Sequence, residues 1–169
     1  MTKTSLSANL FVALFQQTKT YKINRKYLMK ILVVEDEADM RSIVQMIFLK
    51  LGHKVLTAAS GHEAMRILEE DHEIEVILTD VNCSTKSGSG DDGIWLAEKF
   101  NQAFSTRASK TPLFFMTGEL MEGQEKKIRT ITSNPVIDKQ VAIWSSVLAT
   151  LENAVRSSRQ PAQHQAVTA

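Results

Sequence analysis

Four short apolar runs each end on a polar side chain with chemistry of its own. Ile31-Leu32-Val33-Val34 runs into Glu35-Asp36, and Val76-Ile77-Leu78-Thr79 into Asp80. Leu113-Phe114-Phe115-Met116 runs into Thr117, and Val136-Ile137-Asp138 into Lys139. Runs this short, apolar and rich in β-branched residues read as buried parallel strands. Between them the period changes. Met40, Ile43, Val44, Ile47, Phe48 and Leu51 recur at helical spacing, and Gly52 is placed to end that helix. Lys54 to Ala59 reads as a further strand. Ser60 with Glu63 makes a capping-box pattern that opens a helix through about Glu70. Asn82 to Asp92 is small and polar and reads as a loop, followed by a helix from Ile94 to Phe104. Pro112 introduces the fourth strand. Leu120 to Ile131 reads as a weak, mostly polar helix, and Pro135 opens the fifth strand. Trp144, Val147, Leu148, Leu151 and Val155 line one face of a final helix.

Strands alternating with helices over short connections predict a doubly wound α/β fold. Its sheet is parallel and five-stranded, with right-handed crossovers placing helices on both faces. The pattern spans residues 29–157. Residues 1–28 differ from it, with five basic residues (Lys3, Lys19, Lys22, Arg25, Lys26) and no acid. Met29-Lys30 would make a natural chain start, so 1–28 is read as a dispensable or flexible extension. A poor secretory signal and a surface-lying amphipathic helix built on Leu10, Phe11, Leu14 and Phe15 are the alternatives. Residues 158–169, with Pro161 and polar neighbours, read as a disordered tail.

The formal net charge of +1 gives no case for direct nucleic-acid binding. The single cysteine, Cys83, excludes an intrachain disulfide and suits a reducing, cytoplasmic setting. No apolar stretch approaches the roughly 20 residues of a membrane span.

In open α/β sheets ligands bind beyond the carboxyl ends of the strands. The polar residues that end the apolar runs therefore meet at one edge: Glu35, Asp36, Asp80, Thr117 and Lys139. Magnesium takes hard oxygens, typically one or two carboxylates plus phosphate oxygens. Glu35, Asp36 and Asp80 supply the carboxylates. Asp80 then serves as nucleophile, forming an acyl phosphate. The Thr117 hydroxyl and the Lys139 ammonium take up charge on the phosphoryl oxygens. Taken singly, each of these residues has an ordinary reading as a loop acid, a turn residue, a helix cap or a surface charge. Their conjunction at one edge carries the assignment.

This ordered set resembles the receiver domain of two-component response regulators, in its stand-alone, chemotaxis-like form. The acidic pair, Asp80, the Thr117-Gly118 turn and Lys139 fall in the family's order. The separations from Asp36 to Asp80 and from Thr117 to Lys139 are also similar, and Gly93 matches the glycine that opens the third helix. The resemblance implies a flavodoxin-like (βα)5 fold with strand order 2-1-3-4-5. It implies phosphorylation of Asp80 by a histidine kinase or phosphotransfer protein, with Mg2+ as cofactor. The backbone carbonyl of Asn82 would join the metal ligands. The Asn82 and Glu119 side chains would flank the path of attacking water, and Gly118 would keep the site open to donors. Phosphorylation would draw the threonine inward and remodel the surface of the fourth helix, fifth strand and fifth helix. Output would be contact with a downstream target protein or onward phosphotransfer. Homodimer formation stays open.

Three positions depart from the family pattern. Gln140 replaces the usual proline after the lysine, and Val136 replaces the switch aromatic. The loop from Asp80 to Gly93 is longer than usual, and Asp91 and Asp92 are read as solubilising it. Two rival readings follow. One is a receiver-like interaction module working without phosphorylation. The other is a magnesium-dependent phosphatase of the dehalogenase type, which would want an aspartate where Asn82 stands. The four histidines and Cys83 are read as ordinary, and Trp95 and Trp144 as core anchors.

Overall fold

The computed structural model describes residues 28–83 and 92–159. All of the 1–28 extension but Leu28, the tail beyond Arg159, and Asp91 lie outside the described residues. Five strands, β1 (Lys30–Val34), β2 (Lys54–Ala58), β3 (Val76–Asp80), β4 (Leu113–Thr117) and β5 (Ile137–Asp138), form one sheet. The order is β2-β1-β3-β4-β5 and every pairing is parallel, as expected. Five helices connect or follow the strands. They are α1 (Ala38–Lys50), α2 (Gly61–Glu70), α3 (Asp92–Ala103), α4 (Gln124–Ile131) and α5 (Trp144–Arg159). A helical turn, Ser105–Ala108, extends α3 toward β4.

The period of two along each strand splits the core. Ile31, Val33, Val76, Leu78, Phe114 and Met116 face α1 and α5, where Phe48 and Trp144 meet edge to face. Leu32, Val34, Ile77, Leu113 and Phe115 face α2, α3 and α4. Trp144 is thus a core anchor. Trp95 is only half-buried and stacks on the ring of His62, with centroids 4.1 Å apart. His53 is buried and accepts the Met29 N–H on Nδ1 at 3.2 Å. Burial lowers its pKa, so it is a neutral core histidine.

The local signals work as read. Gly52, at φ +93°, ends α1. Its N–H donates to the Leu49 carbonyl at 2.9 Å, and the His53 N–H to that of Phe48 at 3.0 Å. At the start of α2, the Glu63 N–H donates to Ser60 Oγ at 3.2 Å, and Glu63 Oε2 accepts the Ala59 N–H at 2.7 Å. Helix α4 begins at Gln124, four residues later than the apolar pattern indicates, and β5 is only two residues long.

Asp92 is a correction. It does not solubilise the loop: it is 4% exposed and opens α3. Its Oδ2 accepts the Gly61 N–H at 3.0 Å, capping α2 from the neighbouring helix. The next residue, Gly93, brings α3 against the end of β3. A Cβ there would lie 1.9 Å from the Asp80 carbonyl oxygen. A glycine-to-alanine change inside a helix ordinarily gains about 1 kcal/mol. Gly93→Ala should reverse that sign, losing about 1–3 kcal/mol through overpacking. The urea midpoint checks it, with a fall expected.

Candidate functional site

The sheet register fixes the distances between functional groups. Val34 pairs with Thr79, so Glu35 and Asp80 leave adjacent strands side by side. Asp80 pairs with Met116 and Thr117 with Asp138, which sets Thr117 and Lys139 on the other flank. The Lys139 N–H donates to the Thr117 carbonyl at 2.8 Å, so β5 delivers the lysine although it is short. Lys139 Nζ lies 3.0 Å from Glu35 Oε2 and 3.2 Å from Asp80 Oδ2. Sequence positions 104 residues apart are thereby joined by one ammonium.

Both acids are almost fully buried, and they repel. Burial first, then the charge of Asp80, pushes Glu35 up to about 7 against the pull of Lys139. Burial also raises Asp80, against Lys139. Burial works against the Lys139 charge, but Asp80 and Glu35 outweigh it and hold its pKa above the ordinary range. One oxygen remains unassigned. Asp80 Oδ1 is buried and has no hydrogen-bond partner within standard geometry among the described residues, an arrangement that costs about 1–3 kcal/mol unless something else completes it.

Ligand atoms of Asp36, Asp80 and Cys83 lie within 4.8 Å of one another. The carboxylates of Asp36 and Asp80 fit a hard divalent cation, which takes carboxylate and phosphate oxygens. Cys83, read as an ordinary thiol, is buried beside this cluster. Burial, then the charges of Asp80, Glu35 and Asp36, push its thiol far above the usual range, so it stays neutral.

Thr117 is brought to the site, but its hydroxyl is engaged. It donates to the Glu119 carbonyl at 2.6 Å and accepts the Glu119 N–H at 3.1 Å. The Asn82 amide does not lie idle either. Its Nδ2 donates to the same Glu119 carbonyl at 2.9 Å and lies 3.4 Å from Thr117 Oγ1. Sequence reasoning missed Gln124, which is 3% exposed and donates to Asn82 Oδ1 at 2.7 Å. Gln140 replaces the expected proline with a trans peptide and a side-chain bond, Nε2 to the Gly118 carbonyl at 2.9 Å.

This geometry can be set beside known proteins. The response regulator receiver domain profile matches residues 31–148. The chain belongs to the response regulator receiver domain family. A chemotaxis protein CheY homologue of Campylobacter jejuni is 39% identical over 61 residues, 36% of this chain and 47% of that protein. The chain thus spans about half the length of the curated relatives it matches first. Among solved structures, chemotaxis response regulator CheY4 of Vibrio cholerae superposes with a TM-score of 0.62 at 22% identity. The alignment covers 75% of this chain and 98% of that one. A CheY-like receiver domain protein from Methanospirillum hungatei gives 0.66 at 18% identity, covering 78% and 96%. Both show the fold. Family membership removes the dehalogenase-type alternative. No helix among the described residues is long and apolar enough to cross a membrane.

The raised Glu35 pKa makes folding pH-dependent. An acid whose folded pKa lies above its unfolded value releases its proton first from the unfolded chain. Its contribution to stability therefore falls as pH rises from about 4.5 through about 7. Carboxyl-carbon NMR titration should place Glu35 near 7. In Lys139→Met, which removes the opposing charge, the midpoint should move higher; a fall would contradict the ion pair.

Proposed function

We propose that this receiver domain accepts a phosphoryl group on Asp80 from the phosphohistidine of a histidine kinase or phosphotransfer protein. The observation that supports it most is the Asp80 carboxylate itself. One oxygen is paired to Lys139, the other is buried without a hydrogen-bond partner among the described residues, and an Asp36 oxygen lies within 4.8 Å of the carboxylate. In the step proposed, an Asp80 oxygen attacks phosphorus, the P–N bond to the donor imidazole breaks, and the imidazole leaves with its electron pair. Glu35, Asp36, Asp80 and the Asn82 carbonyl would hold Mg2+, which offsets repulsion between the acids and the incoming phosphoryl group. Lys139, already placed between Glu35 and Asp80, would exchange part of that contact for a phosphoryl oxygen. Thr117 would leave the Glu119 carbonyl to meet another. Gly118 leaves donors room, and the Asn82 and Glu119 side chains border the path of water that later removes the phosphoryl group.

The reading extends to a stand-alone, cytoplasmic regulator whose output is contact with a target protein or onward transfer. Met121, Val141 and Ile143, more than half exposed, stand on the loops flanking Thr117 and Lys139, where a partner would cover them. The change between resting and phosphorylated forms is a population shift.

Incubation with labelled acetyl phosphate and Mg2+ tests the reading. An acid-stable, base-labile adduct should form, vanish in Asp80→Ala and with excess chelator, and persist in Asp91→Ala. An unlabelled but folded wild type would favour an interaction module that works without phosphorylation, and steady hydrolysis without an adduct would contradict the acceptor reading.

A further inference from the structure

The segment from Gly118 to Met121 joins the Thr117 end of β4 to α4, and three side-chain amides from three other places hold its backbone. Gln140 Nε2 donates to the Gly118 carbonyl at 2.9 Å, and Asn82 Nδ2 to the Glu119 carbonyl at 2.9 Å. Gln124 Oε1 accepts the Met121 N–H at 2.8 Å. Two of the amides are also joined to each other, Gln124 Nε2 to Asn82 Oδ1 at 2.7 Å.

The direction of this chain is fixed by its ends. A backbone N–H can only donate, so Gln124 must turn its oxygen to Met121 and its NH2 to Asn82. Asn82 must then present Oδ1 to Gln124 and its NH2 to Glu119, whose carbonyl can only accept. Every link agrees, so neither amide can flip without opposing two like groups. Gln124 is almost fully buried, so breaking these bonds without replacing them costs free energy.

The held segment is the one that engages Thr117. The Glu119 carbonyl takes the Thr117 hydroxyl proton, and the Glu119 N–H returns a bond to the same oxygen. While Gly118, Glu119 and Met121 are pinned, both Glu119 groups stay within reach of Thr117. The hydroxyl is then occupied by the Glu119 backbone.

We propose that Gln124 is a positioning residue of the phosphoacceptor site. Through Asn82, and together with Gln140, it holds the 118–121 segment so that the Thr117 hydroxyl stays in its resting orientation. The proposal rests on the phosphoacceptor reading of Asp80. A phosphoryl group must draw Thr117 away from Glu119, and the segment yields only as the amide bonds loosen. The amides thereby set part of the equilibrium between resting and phosphorylated forms. They do so at the place where Val136 leaves no aromatic ring to couple to the threonine.

The probe is beryllofluoride with saturating Mg2+, a phosphoryl mimic, followed by amide NMR on the full chain. Gln124→Met keeps the length of the side chain and removes the bonds to the Met121 N–H and to Asn82 Oδ1. It should tighten beryllofluoride binding about tenfold, as expected when two bonds present only in the resting form are lost. Gln140→Met, at an exposed position that does not threaten folding, should tighten it by a smaller factor. Gln102→Met, on the exposed face of α3, should change nothing. In the resting wild type the Asn82 side-chain NH2 protons should exchange slowly with water. That protection should be lost in Gln124→Met but kept in Gln102→Met, a readout that a space-filling role would not move. Unchanged or weaker binding in both Gln124→Met and Gln140→Met would overturn the proposal while leaving Asp80 as acceptor. A wild type that binds no beryllofluoride would overturn the acceptor reading and the role of the amides with it.

Discussion

One ammonium holds this site together. Glu35 and Asp80 leave neighbouring strands with their carboxylates side by side and almost wholly out of water. Unpaired, two buried acids would be held apart or kept protonated. Lys139, 3.0 Å from one and 3.2 Å from the other, lets them share one small volume. Removing one partner of a buried ion pair typically costs about 3–5 kcal/mol, because the remaining charge stays stranded. That constraint explains why a strand of two residues, β5, is kept at the sheet edge. Its task is to bring Lys139 to the acids, and its hydrogen bond to the Thr117 carbonyl fixes where the lysine starts.

The rest of the fold makes that meeting reproducible. Parallel pairing puts the carboxyl ends of β1, β3, β4 and β5 at one edge, and a buried apolar face on each side of the sheet forbids a one-residue slip. Gly93 lets α3 approach the end of β3, and Asp92 caps α2 from the same turn. Helix α3 is thereby seated against the end of β3, while the neighbouring 118–121 segment is held mainly by hydrogen bonds from the side chains of Thr117, Asn82, Gln124 and Gln140. On the proposed reading, phosphorylation of Asp80 would be stored as a change in how that segment is held.

Most of the scaffold and the charged part of the site were legible in the sequence because both carry periodic or chemical signatures. Apolar runs ending on acids marked the strand ends, Gly52 marked a helix stop, and Ser60 with Glu63 marked a helix start. Asp92 was misread because nothing local distinguishes a loop carboxylate from one that caps a helix thirty-one residues earlier in the chain. The start of α4 was placed too early because Leu120 and Met121 continue the apolar pattern without being helical. Gln124 and Gln140 were not recognised as structural for a related reason. An amide has no charge and no place in a hydrophobic period, so its value depends on which backbone groups face it in space.

The central claim is that these strand ends together make Asp80 an acceptor. Reduction of the phosphorylated protein with borohydride, followed by peptide mass spectrometry, tests it most directly, since an aspartyl phosphate is converted to homoserine where it stood. The account predicts homoserine at position 80 and at no other acid, and only after treatment with phosphodonor and Mg2+. Homoserine at Asp36 or Asp92, or none in a protein that has taken up label, would contradict it.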